Sequence, residues 1–224
     1  RRRANAYQAY YEHMPLRRSA MPDGIDMRLY RRFEYGALAG FSVLDTRQYR
    51  TDQPCGDRSG PRCPAVFDEA ATLMGAEQES WLLNGLDRSA ARWNIVPQQV
   101  MVAPVDRLPG DEERYSMDQW SGYDAARNRW VDFLAQRRPS NPVILTGDIH
   151  LAGLGLLPAD ARDPSSPVVG YEVVTTSISS NGDGTNELGD LIERAIGLVP
   201  NVRYINARNR GYSVCHFTRE RLRV

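Results

Sequence analysis

Residues 3–14 place Ala4, Tyr7, Tyr11 and Met14 on one stripe at helical spacing, and Pro15 follows, so a helix is predicted to stop there. Two β-like runs come next, 27–33 and 38–44, separated by Glu34-Tyr35-Gly36, which is a hairpin signature. Residues 45–72 lack periodicity and read as a surface excursion. The pattern returns to helix at 76–86, with Trp81, Leu82 and Leu86 as apolar contacts, and to strand at 95–103. Pro97 there suggests an edge strand or a bulge. A second loop, 106–123, is acidic and aromatic. The amphipathic helix predicted at 125–138 turns Trp130, Phe133 and Leu134 inward. Pro139 and Pro142 then lead into Val143-Ile144-Leu145, a short continuous apolar run that reads as a strand buried on both faces. Further strands are expected at 168–176 and 211–218, and a helix at 187–197. The alternation of strands and helices defines a mixed, layered α/β fold.

The chain has 224 residues, 42% hydrophobic and 25% charged, enough for one sizeable core in one domain. The 28 basic residues, all Arg, balance 28 acidic ones, so no charge excess points to nucleic acid. No apolar run approaches the roughly 20 residues of a membrane span. The abrupt start on Arg1-Arg2-Arg3 reads as a cut inside a larger protein. Cys55 and Cys63 share a stretch rich in Pro, Gly and Arg, a setting that suits either a local disulfide or two free surface thiols.

Candidate chemistry concentrates in Thr146-Gly147-Asp148-Ile149-His150, directly after the buried strand, because ligands in α/β proteins gather at the carboxyl ends of such strands. In an extended segment residues two apart point to one side, so Asp148 and His150 could face one site, with Gly147 allowing a sharp turn. A carboxylate and an imidazole together suit a transition metal beside a harder ion. The alternative is a strand-ending turn with Asp148 as a cap and His150 as an ordinary hydrogen-bonded histidine. His13 and His216 read as structural. The segment 177–184, rich in hydroxyls and glycine, is either a site-lining loop or a plain turn. Trp120-Ser121-Gly122-Tyr123 is either an aromatic wall for substrate, making Trp120 and Tyr123 substrate-binding, or a packed loop anchor. Serine-hydrolase elbows and nucleotide-cradling glycine loops are absent. No acid, base or nucleophile is assigned.

Several strings, in order, resemble the PhoD-like (alkaline phosphatase D) metallophosphoesterase family. They are Arg3-Ala4-Asn5-Ala6-Tyr7-Gln8-Ala9-Tyr10-Tyr11-Glu12, then Leu44-Asp45-Thr46-Arg47-Gln48-Tyr49-Arg50 with Asp52-Gln53-Pro54-Cys55. Gly75-Ala76-Glu77-Gln78-Glu79, Trp81-Leu82 and Gln98-Gln99-Val100-Met101 follow. Trp120-Ser121-Gly122-Tyr123, Leu145-Thr146-Gly147-Asp148-Ile149-His150 and Thr176-Ser177-Ile178-Ser179-Ser180 complete the set, which spans Arg3 to about Tyr212.

The resemblance implies part of a four-layer α/β/β/α sandwich with mixed sheets. Residues 1–224 would be the C-terminal part of its catalytic domain, with the N-terminal part and its metal motifs absent. It implies hydrolysis of phosphate monoesters or diesters, with iron and calcium as cofactors and Asp148 and His150 as metal ligands. A phospholipase D-type phosphodiesterase of the same family and a non-catalytic binding module with a degenerate site are the alternatives. The family is exported, so a secreted or periplasmic location and a Cys55–Cys63 disulfide are expected. The partners expected are a phosphate-ester substrate and the N-terminal half of the same protein, with no nucleic acid and no integral membrane segment. Two ligands cannot hold a catalytic metal pair, so these residues alone are expected to be inactive. Leu151-Ala152 follows His150 where the family more often has small polar residues, so the edge of the site is expected to differ.

Overall fold

The computed structural model of the chain describes residues 1–106, 113–163, 165–180, 186–197 and 199–224. Among them are the helices α1 (Arg2–His13), α2 (Gly75–Asp87), α3 (Asp124–Arg137) and α4 (Asn186–Gly197). In chain order the strands are β1 (Arg31–Tyr35), β2 (Ala39–Val43), β3 (Ser59–Gly60), β4 (Trp93–Pro97), β5 (Tyr115–Ser116) and β6 (Pro142–Thr146). They continue with β7 (Ala152–Pro158), β8 (Val168–Val174), β9 (Val202–Asn206), β10 (His216–Phe217) and β11 (Leu222–Arg223). Seven of them form one mixed sheet in the order β1-β2-β4-β6-β8-β7-β9. The pairs β3–β5 and β10–β11 are separate two-stranded ribbons.

The middle of the sheet decides where chemistry can sit. Strands β2, β4, β6 and β8 run parallel, while β1 and β7 pair antiparallel at the flanks. A parallel pair needs a crossover, and α2 and α3 supply the first two. All four parallel strands therefore end on the same side of the molecule. Their ends are tied together by Leu44 N to Pro97 O (2.9 Å), Gln98 N to Leu145 O (2.9 Å) and Thr175 N to Thr146 O (2.9 Å). The loops after them converge there.

Alternation along the strands sends residues to two faces. On one face Val96 and Ile144 pack against Leu82 and Leu86 of α2 and Trp130 and Leu134 of α3. This is the main core. On the other face Ile95, Val143 and Val173 meet Cys215, Phe217 and Leu222 from the C-terminal ribbon. Trp93 pins that ribbon by donating from Nε1 to Thr218 O at 2.6 Å. The cover is incomplete. Phe33, stacked on Phe41, Tyr171, paired with Val143, and Tyr204, paired with Leu154, all stay exposed on this second face.

The hairpin, α1 to α4, and the buried strand β6 agree with the expectations from periodicity. Three differences stand out, and two of them have a physical reason in the sequence. β4 is central rather than an edge strand, because Pro97 is its last residue and its carbonyl still accepts from Leu44 N. The strand expected at 211–218 shrinks to His216–Phe217. β7 was not anticipated, its sequence Ala-Gly-Leu-Gly-Leu-Leu-Pro carrying two glycines and a proline that mask a strand signal.

Candidate functional site

The loop after β6 lies where the parallel strands end. The alternation argument does not extend into it, because the segment is not extended: Asp148 has φ 73° and His150 φ 55°. Gly147 opens the turn but does not supply the left-handed conformation, which falls on Asp148. Ile149 N closes a tight turn onto Gly147 O at 2.9 Å. Asp and His are among the residues that tolerate left-handed backbone best, which fits their use here. Ile149 and Leu151 line an apolar cavity of about 160 Å³ together with Met101, Val105 and Ile192.

Both carboxylate oxygens of Asp148 are held. Gln119 Nε2 donates to Oδ2 at 2.8 Å and Arg47 Nη2 approaches Oδ1 at 3.3 Å. Gln119 is fixed in turn by the Met101 N–H, which donates to its Oε1. Arg47 is fixed by Asp118, whose Oδ1 accepts from Arg47 Nη1 at 2.8 Å, Arg50 Nη1 at 2.5 Å and Gln53 Nε2 at 2.5 Å. Burial acts to raise the Asp118 carboxyl, but the hydrogen bonds from Arg47 and Arg50 overcome it and hold the group below its ordinary range. Burial likewise acts to lower Arg47, and Asp118 and Asp148 reverse that and raise it. The result is a cationic guanidinium beside a half-exposed carboxylate. His150 is half-buried, and its carbonyl accepts from Thr176 Oγ1 at 3.1 Å, which links the loop to the strand end of β8.

Trp120 and Tyr123 do not form a substrate wall. Both are 0% exposed and belong to the main core, and Tyr123 Oη donates to Thr51 O at 2.8 Å. They are packed anchors of their loop. His13 is exposed, with Nδ1 on Ala9 O, and His216 lies exposed in the β10–β11 ribbon. Cys55 and Cys63 are joined by a disulfide, and Cys215 is free. In the hydroxyl-rich segment Ser177 Oγ donates to Ser180 O at 3.0 Å, while residues 181–184 lie outside the described residues, as do Asp111 and Glu112 of the acidic loop.

Arg47, Gln119 and Asp118 carry no spacing signal of their own. Arg47 meets Asp148 across 101 positions and Gln119 across 29. Their only mark in the sequence is that Arg47 falls inside one of the strings that resemble the family.

Among the described residues, no three His, Cys, Asp or Glu side chains gather as a metal-ligand group. Asp148 and His150 nevertheless have the donor chemistry for part of such a site. Each oxygen of Asp148 accepts one hydrogen bond and has a second lone pair left for an ion. The donor set fits a metal shell that is completed by other residues.

A mixed sheet with polar loops gathered at its parallel strand ends, carrying a braced acidic residue beside an arginine, defines an α/β protein with a candidate ligand site at that edge. The comparisons make the family specific. Residues 1–224 match the PhoD-like phosphatase family model, and the chain belongs to that family. It is 45% identical over 217 residues to alkaline phosphatase D of Bacillus subtilis (strain 168), covering 97% of this chain and 37% of that protein. A solved structure described as "Structure of PhoD" superposes with a TM-score of 0.90 at 44% identity, over 97% of this chain and 41% of that one. The chain thus spans well under half the length of these relatives.

Proposed function

We propose that residues 1–224 are the C-terminal part of the catalytic domain of a metal-dependent phosphatase that hydrolyses phosphate monoesters or diesters. In this reading Asp148 and His150 supply part of the metal shell. The observation that carries it is the double bracing of Asp148 by Gln119 and Arg47, in a chain that matches the family from end to end. Carboxylates that ligate metals are held by just such hydrogen bonds. Asp148 would offer anionic oxygen and His150 an imidazole nitrogen, a set compatible with the iron and calcium of the family resemblance. When bound, those metals supply Lewis acidity and a hydroxide source. Arg47, fixed by Asp118, puts positive charge beside Asp148, where an anionic phosphoryl group would be attracted.

The remaining ligands would come from the rest of a longer protein. The incompletely covered sheet face, with Phe33, Tyr171 and Tyr204 exposed, supports such a partner. The Cys55–Cys63 disulfide supports an oxidising, secreted or periplasmic location. A phospholipase D-type diesterase is the second reading, favoured by the apolar cavity under Ile149 and Leu151, which could receive an alkyl group.

The test compares residues 1–224 alone with the longer protein, with iron and calcium added, on an aryl phosphate monoester and diester. The fragment is expected to be inactive while the longer protein turns over. Metal-dependent turnover by the fragment within about tenfold of the longer protein, a barrier difference near 1.4 kcal/mol, would contradict the proposal. No turnover by either would favour a binding module.

A further inference from the structure

Glu172 lies in the centre of β8, 1% exposed, with no place in the ligand set just proposed. A buried carboxylate is costly unless several donors satisfy it. Three do. Oε1 accepts from Val102 N at 2.8 Å and from Thr146 Oγ1 at 2.7 Å, and Oε2 accepts from Ala103 N at 2.8 Å. Burial still pushes its carboxyl up, against these hydrogen bonds and the nearby charge of Arg127.

Arg127, 3% exposed on α3, grips the same loop residue from the other end: its Nε donates to Val102 O at 2.8 Å. Two buried, oppositely charged side chains thus hold the N–H and the C=O of Val102. They do not touch each other through any hydrogen bond; the loop is what they share. Arg127 Nη1 donates to Asn128 Oδ1 at 3.0 Å, so the guanidinium is oriented by a second hydrogen bond beside the one to Val102.

Two routes lead from this clamp to Asp148. The first runs along β6: Thr146, two residues before Asp148, donates to Glu172 and accepts from Gln98 Nε2 at 2.7 Å. The second runs through the loop: Met101, next to Val102, donates to Gln119 Oε1, and Gln119 donates to Asp148 Oδ2. We infer that Glu172 and Arg127 are positioning residues that clamp Val102 and thereby fix Gln119 and the Asp148 carboxylate for ion binding. This rests on the reading of Asp148 as a metal ligand and adds what sets its geometry.

The experiment uses the longer protein with Glu172→Gln, Thr146→Val, Thr146→Ser and Asp148→Asn. A glutamine at 172 sets its amide N–H₂ against one of the donors it must accept, so the clamp opens without a change of shape. Calcium affinity is measured by calorimetry, kcat and KM on an aryl phosphate diester, and amide hydrogen exchange at Met101, Val102 and Ala103. Glu172→Gln and Thr146→Val are expected to weaken calcium binding at least tenfold, to lower kcat more than they change KM, and to speed exchange at Met101 at least tenfold. Thr146→Ser, which keeps the hydroxyl, should restore wild-type values within about threefold. If Asp148→Asn abolishes calcium binding while Glu172→Gln and Thr146→Val leave it within about twofold, the clamp is refuted and the metal reading stands. If Asp148→Asn leaves calcium binding intact, the metal reading fails, and with it the role proposed for the clamp. Should Glu172→Gln not fold, Thr146→Val against Thr146→Ser decides by the same criteria.

Discussion

Gln119 Nε2 donates to Asp148 Oδ2 at 2.8 Å, and its own carbonyl oxygen is held by the Met101 N–H, so the carboxylate is aimed by a side chain with no freedom to turn. Gln119 is only 3% exposed. The relationship ties the loop after β4 to the loop after β6 and makes the orientation of Asp148 a property of the sheet rather than of its own rotamer.

The first prediction concerns these braces. Replacing Gln119 with Leu, or Arg47 with Met, should weaken metal affinity and turnover in the longer protein by about ten- to a hundredfold, the usual effect of removing a hydrogen bond from a metal-ligating side chain. Titration with calcium and steady-state assays check this. Both variants matching the wild type would mean that the braces serve packing alone.

Tyr123 sets an alkaline limit on stability. Burial pushes its phenol up to about 12 from 10.0, and the protonated hydroxyl donates to Thr51 O. The folded chain keeps a proton that the unfolded chain releases near pH 10. Stability from this group is therefore fully present below pH 10 and falls as the pH rises toward 12, by up to about 2 kcal/mol over that window. Tyr123→Phe should cost about 1 kcal/mol at pH 8 through the lost hydrogen bond and flatten the alkaline decline. Urea unfolding of both proteins between pH 8 and 12 tests it. Parallel curves would show that Tyr123 is not what limits alkaline stability.

Two glycines should respond oppositely to a methyl group. A Cβ on Gly122 would lie 2.3 Å from Met117 O and 2.9 Å from Met117 C, and backbone cannot move aside cheaply. Gly122→Ala should cost about 2–3 kcal/mol. A Cβ on Gly147 meets nothing within 4 Å and its backbone needs no left-handed conformation, so Gly147→Ala should change stability by less than about 0.5 kcal/mol. Equal urea midpoints for the two variants would contradict this packing.

Periodicity made most of the fold legible because it reports burial directly. The stripe of α3 and the apolar run of β6 both turn the residues they named toward a core, Trp130 and Leu134 among them. It failed where composition and position compete. Pro97 looked like an edge marker, yet a proline as last residue of a central strand loses little. The pair Trp120 and Tyr123 looked equally like a binding wall and an anchor, and only burial distinguishes the two. The candidate site was half legible. Asp148 and His150 stand out in a short motif after a buried strand, whereas Gln119, Asp118 and Glu172 reach the site through tertiary contacts that no local pattern encodes. The extended geometry expected of the motif gives way to left-handed φ at Asp148 and His150, which their residue types permit but do not dictate.

The most direct test of the account is the metal content and turnover of Asp148→Asn and His150→Gln in the longer protein, purified beside the wild type and assayed with iron and calcium on an aryl phosphate diester. Asn keeps the shape of Asp148 and its hydrogen bond from Gln119 but removes the anionic charge, and Gln removes the imidazole. The account predicts that each variant folds with a melting midpoint near that of the metal-free wild type, loses bound metal, and turns over at least about a hundredfold more slowly. Either variant retaining wild-type metal content and turnover within about threefold would contradict it.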